Sequence, residues 1–112
     1  MVEKITLEQL QRELEAGGIT LVEALGPAYY EDAHLPGAIN IPHDQVAELA
    51  PHLLPDKSAR IVVYCANGPC QNSEIATLKL GKLGYANVAD YHEGKAEWLA
   101  AGLPVERGAV AA

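Results

Sequence analysis

Apolar positions along this chain alternate between two periods. Leu7, Leu10 and Leu14 recur at i, i+3 and i+7, one face of an amphipathic helix. Thr6 is placed as its N-cap with Gln9 three positions on, a capping-box pattern, and Gly17-Gly18 stops it. Before it, "VEKIT" reads as a short edge strand; after it, "GITLVEAL" reads as a buried strand. "PAYYEDAH" predicts a short helix, and the Pro-Gly turn of "LPGAINIP" feeds a short strand at Ala38 to Ile41. Val46, Leu49 and Leu53 return to helical spacing, with Pro51 expected to kink or shorten that element. "ARIVVYC" is the clearest strand, a continuous apolar run of the kind covered on both sheet faces. A helix is predicted over Asn72 to Lys82 with Asn72 or Ser73 as cap, then a strand in "ANVADYH" and a helix in "KAEWLAAG", ended by Gly102 and Pro104.

Strands alternating with helices predict an α/β fold, an open, mainly parallel central sheet of about five strands flanked by helices. The 112 residues make one domain, expected over 1–106, with 107–112 as a loose C-terminal tail. Fifteen acids against eight bases leave a net charge of −7. The bases are scattered, so neither a nucleic-acid patch nor a steering field for small anions is expected. No run approaches the roughly 18 apolar residues of a membrane span, and the acidic N-terminus has no apolar h-region. The expectation is a cytoplasmic protein whose two cysteines are reduced.

Candidate chemistry concentrates in "CANGPCQNS". Cys65 ends the most buried-looking strand and immediately precedes a helix N-terminus. In open parallel sheets ligands bind beyond the carboxyl ends of the strands. Every loop residue but Pro69 offers a backbone N–H, and curled together these form an anion-binding nest backed by the helix dipole. Such a nest is expected to lower the thiol pKa and stabilise an anion on the sulfur. Cys65 is the candidate nucleophile, with Ala66, Asn67, Gly68, Cys70, Gln71, Asn72 and Ser73 as candidate substrate-binding residues.

With these residues in view, the chain resembles the rhodanese-like family of sulfurtransferases. "HLPGAINIP", His34 to Pro42, is similar to that family's H-x-P-G-A-x-N-I-P signature, and "IVVYCANG" to its strand running into the catalytic cysteine. "LGYANV" resembles the segment leading into its last strand. "EGKAEW" resembles its G-G-x-x-x-W ending, with Glu93 for the first glycine. The resemblance implies a three-layer rhodanese-like fold and a Cys65 persulfide. That persulfide would take sulfane sulfur from a small-molecule or protein donor and pass it to a thiol or other thiophilic acceptor, without cofactor or metal. Cys70 stands where a common family loop, C-x-x-G-x-R-S, carries arginine, and Glu23-Ala24-Leu25 replaces the usual D-V-R. Two basic groups are therefore missing, which argues against free thiosulfate.

Other readings of these residues are weaker. A cysteine at a strand end can be a small buried hydrophobe. Cys70 is either a resolving thiol that attacks the persulfide or a filler of the arginine's place. A phosphatase loop of the H-C-x5-R kind needs arginine where Gln71 stands and histidine where Tyr64 stands. A metal site from Cys65, Cys70 and one of His34, His43 or His92 lacks a second ligand pair at motif spacing. His34 is expected to hold its turn, His92 to be exposed at the active-site edge, and Trp98 to be core. Glu23 and Glu93 near the strand ends would raise the Cys65 pKa if both faced the loop. Two further functions remain open: a non-catalytic sulfur-carrier or protein-binding module, and a dithiol reductase using Cys65 and Cys70.

Overall fold

The computed structural model describes residues 2–108. Strands and helices alternate as β1 (Glu3–Lys4), α1 (Leu7–Ala16), β2 (Ile19–Glu23), α2 (Pro27–Asp32), β3 (Ile39–Asn40), α3 (Val46–Leu53), β4 (Arg60–Tyr64), α4 (Asn72–Lys82), β5 (Val88–Tyr91) and α5 (Gly94–Ala100). A 3₁₀ turn at His43–Gln45 leads into α3. The strands form one sheet in the order β1-β5-β4-β2-β3, and every pairing is parallel. The predicted α/β architecture is therefore present, with β4 at the centre.

Local signals act as expected in most places. Thr6 Oγ1 accepts from the Gln9 N–H at 3.2 Å and caps α1. The Gln9 side chain instead reaches Glu13 Oε2 at 3.2 Å, so only half of the capping box forms. Pro51 lies inside α3, which ends two residues later at Leu53; the missing N–H and the ring limit its length. At α4 the expectation fails. Gln71 occupies the N-cap position, with Asn72 and Ser73 inside the first turn, because the Ser73 hydroxyl is engaged by the Cys65 thiol.

Alternation along β4 builds the two core layers. Ile61 and Val63 pack with Val46 and Ala50 of α3 and Ala76 and Leu80 of α4. Val62 and Tyr64 point the other way, into Leu10, Tyr30 and Trp98 from α1, α2 and α5. Ile61, Val62 and Val63 are fully buried, each contributing about 1.5–3 kcal/mol relative to exposure. A strand covered on both faces reads as a continuous apolar run for this reason. The same parity decides the site. Cys65 continues the Ile61–Val63 series toward α4, while Glu23 follows Leu21 toward α2 and α5.

The His34 turn is held from both sides. Its ring stacks on Tyr30 at 3.7 Å between centroids, and Nδ1 lies 2.7 Å from the Tyr30 carbonyl. A carbonyl only accepts, so Nδ1 carries the proton. His34 also pairs with Glu106 as an isolated antiparallel bridge, and the Gly37 N–H donates to Glu106 Oε1 at 2.9 Å. The chain stays tied beyond 106: the Gly108 N–H donates to the Glu31 carbonyl at 2.7 Å and Arg107 Nη1 to the Asp32 carbonyl at 2.5 Å. Of the expected tail, residues 109–112 lie outside those described.

Candidate active site

Cys65 directly follows β4, and the loop from Cys65 to α4 is shaped by α5. Gly94 begins that helix at φ +69°, and a Cβ there would stand 2.5 Å from the Cys65 carbonyl oxygen. Only glycine combines that φ with so close an approach. The Lys95 and Ala96 N–H groups then donate to the Cys65 and Ala66 carbonyls at 2.9 and 2.8 Å. In a trans peptide the N–H opposes the C=O, so the Ala66 and Asn67 amides face away from α5.

The thiol itself is sealed, with no solvent exposure. Its Sγ lies 3.4 Å from Ser73 Oγ and 3.6 Å from the Cys70 carbonyl, two alternative acceptors for its single proton. Burial pushes the thiol pKa up, and the neighbouring Cys70 thiol pushes the same way; the Ser73 hydroxyl and N–H pull it down. The expected lowering is thus overturned, because desolvation outweighs the donors that reach the sulfur. The nest is also smaller than the sequence suggests. The Cys70 N–H turns back to Asn67, meeting its carbonyl and its Oδ1 at 3.1 Å each, because Asn in a turn readily closes on the backbone.

The loop after Cys65 borders a cavity of about 460 Å³, whose lining includes Leu25, Tyr29, His43, Asp44, Asn67 and Cys70 but not Cys65 itself. Of the other candidate residues, Ala66 and Asn72 also line it. Gly68 instead faces Glu93, whose Oε2 would lie 3.0 Å from a Cβ at that position. Gln71 is exposed and belongs to a separate groove with Glu74 and Leu78. Ser73 lies beneath, fully buried. Cys65 and Cys70 are both free thiols; the Cys70 carbonyl lies 3.6 Å from Cys65 Sγ, and the Cys70 thiol is near enough to raise the Cys65 pKa. A different groove, lined by Val2, Glu3, Lys82 and Val88 among others, sits at the opposite, amino ends of the strands.

Two carboxylates are buried at the carboxyl ends of strands, on opposite faces of the sheet. Glu23 faces α5 and pairs with Lys95 Nζ at 3.0 Å, while its Oε1 also accepts from Tyr64 Oη at 2.9 Å. Burial still raises its pKa against the pull of Lys95. Turned away from the thiol, Glu23 does not play the loop-facing part considered for it; Glu93 does face the loop. Asp90 lies on the Cys65 side, in register with Val63. It is fully buried, and burial raises its pKa. Sequence reasoning missed both Lys95 and Asp90. The available signal was a carboxylate at an inward position of an apolar strand, "VADY", and a lysine one turn before Trp98. Trp98 is core as expected, its Nε1 donating to the Pro104 carbonyl at 2.8 Å.

Comparison with known proteins agrees with this fold. The family described as Rhodanese-like domain matches residues 6–101. The HTH-type transcriptional regulator Rv0324 of Mycobacterium tuberculosis is 37% identical over 105 residues, covering 94% of this chain and 45% of that protein. Thiosulfate sulfurtransferase PspE of Escherichia coli is 39% identical over 62 residues, 55% of this chain and 58% of the relative. This chain thus spans about half the length of each of these curated relatives. The crystal structure of the BH2092 protein from Bacillus halodurans superimposes with a TM-score of 0.85 at 25% identity, over 94% of this chain and 77% of that one.

Proposed function

This chain belongs to the rhodanese-like domain family, and from that premise we propose that it moves sulfane sulfur through a persulfide on Cys65. The observation that carries the proposal is the placement of Cys65. It stands at the carboxyl end of the central strand, against the first turn of α4, with its loop neighbours lining a cavity. In the reaction, the Cys65 thiolate attacks the sulfane sulfur of a donor. A Cys65 S–S bond forms, and the donor's own bond to that sulfur breaks with release of the remainder. An acceptor thiolate then attacks the terminal sulfur, and the Cys65 thiolate leaves. The Ser73 N–H and hydroxyl stabilise negative charge at Sγ. No Arg or Lys side chain lines the cavity, while Asp44 does, so a neutral or thiol-bound donor suits it better than thiosulfate.

Mass spectrometry after sulfur loading tests the proposal. A 32 Da increment on the Cys65 peptide, absent in Cys65→Ser and present in Cys70→Ser, is the expected result. Loading that survives Cys65→Ser would refute it.

The complete burial of the thiol favours a second reading, a sulfur-carrying or protein-binding module whose loop opens only against a partner. Under that reading transfer from a protein persulfide occurs in a single turnover while steady-state thiosulfate:cyanide activity is absent. Activity with both would favour the enzyme. The dithiol-reductase alternative requires a reversible Cys65–Cys70 disulfide, read by counting free thiols after mild oxidation.

A further inference from the structure

Glu23 has a lysine; Asp90 has none at bonding distance. Both Asp90 oxygens are buried without a hydrogen-bond partner among the described residues. A carboxylate left so destabilises the fold, so holding β5 in place does not account for it. What surrounds it is a line of proton-carrying groups. Asp90 pairs in register with Val63, which brings its side chain to the face that Cys65 also uses. Ser73, in the first turn of α4, faces both. Its hydroxyl lies 3.4 Å from Cys65 Sγ and, near enough to the Asp90 carboxyl to lower its pKa, makes no hydrogen bond to it in this structure. On the far side of Asp90, His92 Nδ1 stands 3.8 Å from Oδ2, on a side chain that is one-third exposed.

We infer that Asp90, acting through the Ser73 hydroxyl, takes the proton that Cys65 loses when it becomes a nucleophile, with His92 at the solvent end of the line. The inference rests on the reading of Cys65 as the reactive thiol. In the step, the Cys65 S–H bond breaks and its proton passes to Ser73 Oγ, while the Ser73 proton passes to an Asp90 oxygen. Ser73 ends as it began. One proton has moved from sulfur to carboxylate, and one negative charge from carboxylate to sulfur.

That exchange answers the electrostatic difficulty of this site. Direct loss of the thiol proton to solvent would leave two anions in one desolvated space, which like-charge repulsion opposes. Internal transfer keeps the buried charge constant. The other groups that bear on Asp90 are Lys4 from β1, which favours its ionised form, and Glu74 from α4, which opposes it, with His92 favouring it from the end of β5. The Cys70 thiol bears on Cys65 from the loop. Asp90 is a positioning group here, since it reaches the sulfur only through Ser73.

The pH profile of Cys65 alkylation by iodoacetamide is the test, with Cys65 and Cys70, which share the tryptic peptide Ile61–Lys79, told apart by fragment-ion mass spectrometry. A shared proton gives a coupled pair two ionisations. The wild-type rate is therefore expected to be level between two inflections. In Asp90→Asn a single inflection should remain, with the rate falling about tenfold per pH unit below it, as for an isolated thiol. Ser73→Ala should behave likewise and Ser73→Thr should restore the level stretch, a comparison that decides the matter if Asp90→Asn does not fold. A two-step profile that persists in Asp90→Asn or Ser73→Ala would overturn the relay, as would a wild-type profile with one inflection. Sulfur loading of wild-type Cys65, read on the same peptide, judges the sulfur-transfer reading separately: its failure sinks that reading and leaves the alkylation profiles to judge the relay.

Discussion

Gly94→Ala is expected to loosen the active-site loop from α5 without touching any reacting atom. The added Cβ would stand 2.5 Å from the Cys65 carbonyl oxygen and 3.1 Å from Ala66 C and Asn67 N. A comfortable carbon–oxygen contact is about 3.3 Å or more, so loop and helix must separate by about 0.8 Å. The bonds from Lys95 N–H to Cys65 O and Ala96 N–H to Ala66 O, now 2.9 and 2.8 Å, would lengthen past bonding range. Two such bonds contribute about 0.5–1.5 kcal/mol each, and an alanine held at φ +69° costs about 1–2 kcal/mol. The sum is about 2–5 kcal/mol, and a value near 3 kcal/mol lowers Tm by about 12 °C for a domain of this size. Urea denaturation and calorimetry read the stability, and iodoacetamide labelling of Cys65 reads the loop, with faster labelling expected at temperatures where the variant is folded. Gly81→Ala is the control. Nothing lies within 4 Å of its Cβ and it is in the interior of α4, so stability should hold or rise by up to about 1 kcal/mol. A Gly94→Ala protein within 2 °C of wild type would refute the claim that close approach of α5 sets the loop.

Lys95→Met should destabilise the domain by about 3–5 kcal/mol by leaving Glu23 buried without its partner. The double variant Lys95→Met/Glu23→Gln should recover most of that loss in chemical denaturation, and no recovery would refute the pairing. Stability should also carry a component that falls as pH rises. Glu23 and Asp90 have folded-state pKa values above their ordinary 4.5 and 3.8, so the folded protein binds more protons than the unfolded chain in that window. The stability from these groups is then fully present below their ordinary values and lost as pH rises through the folded ones. Urea midpoints measured from pH 4 to 7 should show a shallower fall in Asp90→Asn than in wild type; parallel curves would refute the assignment. Glu13, lowered chiefly by its hydrogen bond to Arg60, works in the opposite direction and loses its contribution as pH falls.

How far the chain could be read varied with the range of the interaction involved. The "ARIVVYC" strand, the Thr6 cap and the stop at Gly17 depend on neighbours in sequence, and each appears where the pattern placed it. The cap of α4 was misplaced because Ser73, a good capping residue in isolation, is drawn to Cys65, eight positions away. The thiol pKa had the wrong sign for a related reason. Helix N-terminus and loop amides are visible in sequence, whereas the depth at which a sulfur is sealed is not.

By itself, the sequence determined the alternation of elements, the parallel sheet, and the position of Cys65 at a carboxyl strand end, since hydrophobic period and turn chemistry act over a few residues. Tertiary structure decided which carboxylate meets a lysine and which is buried without a partner on the thiol's side of the sheet. Glu23 and Asp90 are both acids near the ends of buried strands. Strand parity and register turn one toward Lys95 and the other toward Ser73. A side chain's charge state is set by what surrounds it in space, and here those neighbours arrive from helices distant in the chain.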